Sequence, residues 1–392
     1  MNKMNFNSRM LLIGQALSYM GDYCVLPALL ILSTYYADYW VTSGVIIVRS
    51  LPTILQPFLG PLIDRWDRLK IMIWTDIIRG CMFAGIAFLP EGQYASLFLI
   101  LLLCCYGSGV FFNPARLAVM SSLGDDIKYV NTIFAKATTL FIVAGACVGA
   151  LFLVSGSVKW AVLFNALTYF ASALFLRKMK LPVQVHTAPK ANVHTAAASL
   201  RAGLHEIIRN PFVLNGVLTM MTMALLWGIM YSYFPVVSHD IGDGEVGNFI
   251  LTICIGVGGF IGAHLVGRWG FNNTKGLAYF VLLSLVSLSL FTFSGSFWIA
   301  LIAANGFFIA MEYGEVLAKV KVQEHSSNAM QGRIFAVSEA MIGLFISFGS
   351  ILINLMHTTW IVIVVALVLT ALFVHTSMVN RLHMQQSKQI GV

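Results

Sequence analysis

Residues 60–70 read Gly60-Pro61-Leu62-Ile63-Asp64-Arg65-Trp66-Asp67-Arg68-Leu69-Lys70, with five charged side chains crowded between two long apolar runs. Charge confined to so short a break is the pattern of a loop joining two membrane helices. Working outward from it, apolar runs start near residues 10, 41, 70, 95, 131, 158, 211, 244, 274, 296, 332 and 358, twelve in all. Most reach the ~20 residues that cross ~30 Å of hydrocarbon. The whole chain agrees: 58% of its 392 residues are hydrophobic, 10% are charged, and the mean hydropathy is +0.83. Average soluble domains are about 25% charged. That composition excludes a cytosolic enzyme, a secreted binding module and a disordered chain.

The basic residues recur in alternate connections, which sets the expected orientation. Both termini and the even-numbered loops hold 21 of the 24 Lys and Arg, while the opposite side has only Lys159. Arg49 and Arg79 fall inside spans. Both termini are therefore expected in the cytoplasm, and a miscounted span would have scrambled the alternation. The net charge of +8 is spread over these loops, so it points to no nucleic-acid partner. The six cysteines all lie in apolar runs and read as small buried hydrophobes, with no disulfide and no zinc site expected.

The expected organisation has four parts: a six-helix half over 1–180, a linker with an amphipathic helix over 181–210, a second half over 211–380, and a tail over 381–392. In the linker, Leu200, Leu204, Ile207 and Ile208 share a helical face opposite Arg201, His205 and Arg209. The halves look like repeats, because Arg65-Trp66 returns as Arg268-Trp269 about 200 residues later. The expected fold is an all-α polytopic membrane protein of twelve transmembrane helices in two six-helix pseudo-repeats. Such repeats point to a secondary transporter with a substrate site near the midplane.

The opening stretch resembles the G-x-L-x-D-R-x-G-R-[RK] signature of the major facilitator superfamily. Asp67 stands where the family has glycine, and the last basic residue comes one position late. Gly21-Asp22, Leu51-Pro52, Asp76-Ile77-Ile78-Arg79, Phe112-Asn113-Pro114-Ala115-Arg116 and Gly332-Arg333-Ile334-Phe335 are similar to the branch of macrolide efflux pumps and enterobactin-type siderophore exporters. The resemblance implies that Asp64 acts as a gate residue, capping the N-terminus of span eleven when the cytoplasmic side closes. Arg65, Arg68, Asp76 and Arg333 belong to the same gate. Two features of drug/proton antiporters are missing. No arginine lies between Ala95 and Pro114, and the span-five motif is reduced to Gly145-Ala146-Cys147-Val148-Gly149-Ala150.

No phosphate-binding G-x-x-x-x-G-K-[ST] is present, so a gradient must drive transport. A proton-coupled carrier needs an intramembrane carboxylate that alternates between neutral and charged environments. Asp22 lies roughly 18 Å along span one and Arg49 roughly 12 Å into span two, at ~1.5 Å per residue. They read as a proton- or substrate-binding pair, or as a fixed ion pair that orders the N-terminal half. Asp76 and Arg79 share a face of span three and read as a local pair that supports the Asp64 loop or as part of transport; Arg79, the deeper of the two, reads as a coupling or substrate-charge residue with Asp22 and Arg49. Glu312, Glu315 and Glu339 form a second acidic group, with Lys319, Lys321 and Arg333 expected at the rim. Glu312 and Glu339 read either as coupling or substrate acids or as latch residues.

In span seven, Trp227, Met230 and Tyr231 share a face that reads as substrate cavity or as lipid contact. His264 and His375 have no second ligand at i+3 or i+4, so neither a metal nor any other cofactor is expected. The expected function is proton-coupled export of a small amphiphilic compound, a siderophore or a drug, by a monomer in the inner cell membrane whose partners are protons, substrate and lipid. An importer of a small solute such as a ferric siderophore is the alternative. A receptor on a transporter scaffold is poorly motivated, because the chain keeps its charges at membrane depth, and no enzyme motif stands out.

Overall fold

A computed structural model describes residues 4–36, 40–55, 58–59, 66–123, 127–154, 157–180, 193–242, 244–269 and 273–390. The helices are α1 (Phe6–Thr34), α2 (Trp40–Ser50, continued by a 3-10 turn at Leu51–Leu55), α3 (Arg68–Phe88), α4 (Ala95–Gly109), α5 (Phe112–Ser122), α6 (Ile127–Val154), α7 (Lys159–Arg177), α8 (Val193–Arg209), α9 (Pro211–Ile241), α10 (Glu245–Trp269), α11 (Asn273–Thr292), α12 (Phe297–Glu324), α13 (Asn328–Leu355) and α14 (Thr358–Ile390). No strand occurs among the described residues. Eight helices are long and apolar enough to cross a membrane, and four shorter apolar segments bring the number to the twelve read from the sequence. Inside hydrocarbon only a helix satisfies every backbone group within its own segment, which is why apolar runs of this length fold this way.

Helix starts are set by side-chain caps. Asn210 Oδ1 accepts from the N–H groups of Phe212 and Val213 at 3.1 and 3.3 Å, with Pro211 at the first helical position. Asp67, in the position of the superfamily glycine, has the same role. Its Oδ1 accepts from Leu69 N at 3.0 Å and Lys70 N at 3.2 Å and so caps α3. The aspartate thus supplies acceptors that glycine lacks.

The chain divides into two compact units. Unit 1 comprises Met1–Ala197 with Asp243–Gly256, and unit 2 comprises Ala198–Gly242 with Val257–Val392. The expected boundaries therefore shift in two places. Helix α8 belongs mostly to unit 2, and the first half of α10 groups with unit 1, where Asn248 Nδ2 donates to Pro27 O at 3.0 Å. The reason for the first shift is visible in α8. Ile207 is buried with Val213, Val217, Val322 and Ile334, and Leu200 packs beside them. Leu204 and Ile208, on the same apolar face of the expected amphipathic helix, are exposed at 42% and 65%.

The repeat seen in the sequence returns as packing. In unit 1, a Cβ on Gly145 of α6 would overlap Met20 O and press on Cys24 N of α1. In unit 2, a Cβ on Gly349 of α13 would overlap Leu225 O and crowd Ile229 N of α9. The equivalent residues are about 200 apart. Gly228 of α9 faces Ile346 O of α13 in the same way, and Ser232 and Ser350 hydrogen-bond at 2.8 Å one turn on. Small residues that let backbones meet are a main source of adhesion between helices in lipid, where apolar burial drives little.

The cysteines depart from expectation. Cys24, Cys105 and Cys254 are buried, but Cys81, Cys104 and Cys147 are exposed. An outward face of a membrane helix meets hydrocarbon, so a small apolar side chain gains nothing by turning inward.

Gly228→Leu is expected to abolish the folded state, because the new side chain meets backbone that cannot yield; overpacking costs ~1–3 kcal/mol even where neighbours can shift. Gly107→Leu, at a site with nothing within 4 Å, should leave folding intact. Monodisperse elution in detergent and thermal unfolding of both variants check this, and equal behaviour of the two would refute it.

Candidate functional site

Polar residues run along one face of α7: Asn165, Thr168, Tyr169 and Ser172, all at most 5% exposed. Their spacing of i, i+3, i+4 and i+7 makes a polar stripe in an otherwise apolar helix. Gly21 lets α1 close on that stripe, since a Cβ there would overlap Asn165 and Thr168. The approach brings the next residue, Asp22, to Tyr169, whose hydroxyl donates to Asp22 Oδ1 at 2.6 Å. Asn165, Arg79 and Arg49 also lie within electrostatic reach of this carboxylate.

Tyr169 links Asp22 to α3. The Arg79 guanidinium carbon lies 5.3 Å from the Tyr169 ring centre and 5.1 Å from that of Phe112. Its Nη1 is 3.8 Å from Asp76 Oδ1, and the Asp76 side chain is fully buried. The guanidinium rests on Gly109 of α4, where any Cβ would displace it. Phe83 stacks on Tyr169 at 5.8 Å and meets Tyr106 edge-on at 6.4 Å, and Arg49 lies 6.0 Å from the Tyr106 ring. Two arginines therefore flank a column of three aromatic rings, with two aspartates beside them.

Magnitudes show what this arrangement needs. A unit pair about 4 Å apart gains ~4 kcal/mol at an effective dielectric near 20. Burying each ion costs several kcal/mol. The Arg79–Asp76 contact alone does not offset that cost. The two aromatic faces on Arg79, each worth up to ~2 kcal/mol when desolvated, offset part of it, while Asp76 Oδ1 and Oδ2 have no hydrogen-bond partner among the described residues and the Tyr169 hydroxyl serves Asp22. Two aspartates and two arginines leave no formal net charge, so moving one proton changes the balance of the whole cluster.

In unit 2, Lys319 is the counter-charge that the sequence reading placed at the rim. It pairs with Glu315 one turn away and lies within electrostatic reach of Glu339 and Glu312. Glu312 stands against Gly259 and Gly262 of α10. Lys321 is not at the rim; it is 6% exposed and its Nζ donates to Asn215 Oδ1 at 2.7 Å. Arg333 is exposed and touches Met330 Sδ at 3.7 Å.

The span-seven face forms a ring cluster. Trp227 stacks on Tyr231 at 4.8 Å and contacts Phe308 of α12 at 5.0 Å, with Phe234 beside both. Met230 is fully buried within unit 2. Asp64 and Arg65 lie outside the described residues. Arg68 opens α3 next to the Asp67 cap, whereas Asp76 joins the Asp22 network through Arg79. Sequence reasoning missed Tyr169, Tyr106 and Asn215. The polar stripe on α7 was a readable signal for the first; a single tyrosine or asparagine in an apolar run gives none for the others.

The sequence profile of the Major Facilitator Superfamily matches residues 11–350. The chain is 62% identical over 384 residues to the "Putative bacilysin exporter BacE" of Bacillus subtilis, covering 97% of this chain and 96% of that protein. The protein of the same name from Bacillus amyloliquefaciens matches equally. Among solved structures, a mutant of the nucleoside transporter NupG superposes with a TM-score of 0.77 at 13% identity, covering 95% of this chain and 99% of that one. The D-xylose-proton symporter gives 0.70 at 14%, over 93% and 96%. At such identities these likenesses establish the fold. The narrower resemblance to macrolide and siderophore exporters finds no support in these relatives.

Tyr169→Phe is expected to lower stability by ~1.5–3 kcal/mol, the range for a hydrogen bond to a charged group. Combined with Asp22→Asn, the loss should fall short of the sum of the single effects by at least ~0.5 kcal/mol, as for residues in contact. Denaturation of the four proteins in one detergent measures this; strict additivity would separate the two side chains.

Proposed function

Because the chain belongs to the major facilitator superfamily, in which a secondary transporter and not an enzyme is the rule, we propose that it exports bacilysin or a closely related small molecule from the cell. The observation that carries this reading is the 62% identity to BacE across 97% of the chain. A siderophore is not carried forward. The reading takes both termini as cytoplasmic, from the Lys and Arg bias, and the protein as a monomer in the cell membrane.

In this reading Asp22 is the coupling acid. Bound to Tyr169 and balanced by Arg79 and Arg49, it sits where a change of helix packing alters its company and hence its hold on a proton. Outward proton-coupled movement then uses Asp22 protonation to release or recruit the arginines, whose guanidinium groups suit a substrate carboxylate. Asp76 serves that network, buried against Arg79, more directly than it serves the gate. Asp64, Arg65, Arg68 and Arg333 remain the gate. Trp227 and Tyr231 offer ring faces to substrate with Met230 as backing, and Glu312 and Glu339, with Lys319 between their charges, form the acidic counterpart.

Inverted vesicles supplied with bacilysin test the function directly. Uptake should require an imposed pH gradient and should vanish in Asp22→Asn, with the protein still inserted and monodisperse. Normal gradient-driven uptake by that variant would move coupling to Glu312 or Glu339, and no uptake by the wild type would remove bacilysin. Trp227→Ala should raise apparent KM severalfold to about tenfold, since an aromatic contact is worth ~0.5–1.5 kcal/mol and ~1.4 kcal/mol is a decade. An unchanged KM would take the substrate off α9.

A further inference from the structure

Lys321 stands one turn before the end of α12, yet it is 6% exposed. Its ammonium donates to Asn215 Oδ1 at 2.7 Å. Asn215 Nδ2 donates in turn to Thr376 Oγ1 and meets His375 Nδ1 at 3.1 Å. Among the described residues no Asp or Glu oxygen lies within 4.0 Å of Lys321 Nζ; of the acids on α12, Glu315 is engaged by Lys319 and Glu324, three residues on, is exposed. An ammonium has three donors, so this one keeps donors beyond its bond to Asn215. A buried cation without a counter-charge is among the costliest arrangements a helix bundle can hold.

Beside the ammonium is a small cavity of about 20 Å³, lined by Asn215, Thr219, Leu277, Gly314, Lys321 and Thr376 among others. That is room for one water-sized particle, which needs at least ~10–15 Å³ by this measure. Thr376 Oγ1 accepts from Asn215, so its own O–H is left to donate. Thr219 Oγ1 is turned away, donating to Asn215 O at 2.9 Å. The cavity lining thus offers hydrogen-bond donors and a positive charge, with Leu277 and Gly314 among its apolar residues. No carboxylate is among the residues lining it, and two histidines stand beside Lys321: His375, which meets Asn215, and His325, whose Nδ1 lies 3.0 Å from Lys321 O.

We propose that this cavity is a binding site for a single small monovalent anion, chloride in the cell, held by Lys321 and Thr376. The anion supplies the counter-charge that the helices of unit 2 do not. It ties α9, α12 and α14 at one end of the unit. The site stands apart from the Asp22 network and from the identity of the exported compound.

The test uses the purified full chain in detergent, exchanged into sodium gluconate and titrated with sodium chloride or sodium bromide at constant ionic strength. Thermal unfolding is the readout. The midpoint should rise saturably with chloride and with bromide. The rise should disappear in Lys321→Met, which keeps the stem and removes the charge, and weaken in Thr376→Val. A wild-type midpoint equal in chloride and gluconate overturns the proposal. So does a full chloride response in Lys321→Met, which leaves the cavity to water and the amine uncharged. If Lys321→Met does not fold, the chloride-35 linewidth of the wild type decides together with Thr376→Val: broadening that bromide displaces and that Thr376→Val reduces supports the site, and its absence refutes it.

Discussion

A carboxylate at membrane depth needs company, and the arrangement of unit 1 follows from that requirement. An unaccompanied charge at the centre of a span costs ~2.5–3.5 kcal/mol or more. Asp22 is therefore met by Tyr169 at 2.6 Å, and the tyrosine by Arg79, whose other neighbours are Asp76 and Phe112. Asp22 comes from α1, Tyr169 from α7, Phe112 from α5, and Arg79 and Asp76 both from α3. Charge neutrality thus fixes the mutual placement of α1, α3 and α7, which apolar packing in lipid would leave loosely specified.

Glycine makes that company possible. Gly21 admits α7 to α1, and Gly109 gives the Arg79 guanidinium a floor. The two positions differ in what a larger residue would do. At Gly21 the neighbours are polar side chains of the network itself, so crowding there disturbs the site and the packing together. At Gly109 the displaced group is the free end of a long side chain, so the fold has room to survive while the charge moves. The same economy recurs in unit 2, where Gly228 and Gly349 hold α9 against α13 backbone to backbone.

The architecture was nearly all legible in the sequence, because hydrocarbon thickness and charge alternation act residue by residue. The read starts near 41, 95, 158, 211, 296 and 358 fall within one residue of the helix starts at 40, 95, 159, 211, 297 and 358. The site was legible only in its charged members. Asp22, Arg49 and Arg79 announce themselves by being charged in apolar surroundings. Tyr169 does not, since a tyrosine in a span is ordinary and its importance lies in which helix it faces. Lys321 misled for the opposite reason: closeness to a helix end suggested solvent, whereas the packing of α9, α11 and α14 around it closes it off. Exposure of three cysteines went the same way, because sequence alone distinguishes apolar from polar and not bundle from lipid.

Six tryptophans, Trp40, Trp66, Trp74, Trp160, Trp298 and Trp360, are each 46–73% exposed, and all but Trp74 stand within two residues of a helix start. Indole rings settle at the headgroup level, so these residues form a belt that fixes the vertical position of the protein in the bilayer. Trp227 is different: it is part-buried in unit 2, against Tyr231 and Phe308. The optical consequence is a division of the intrinsic fluorescence into two populations. Brominated lipids reach the belt indoles and quench them by contact, while Trp227, screened by its neighbouring rings, keeps emitting. Once the eighth tryptophan is removed as Trp269→Phe, the residual emission is a native reporter on the aromatic cluster of span seven, without any label attached to the chain.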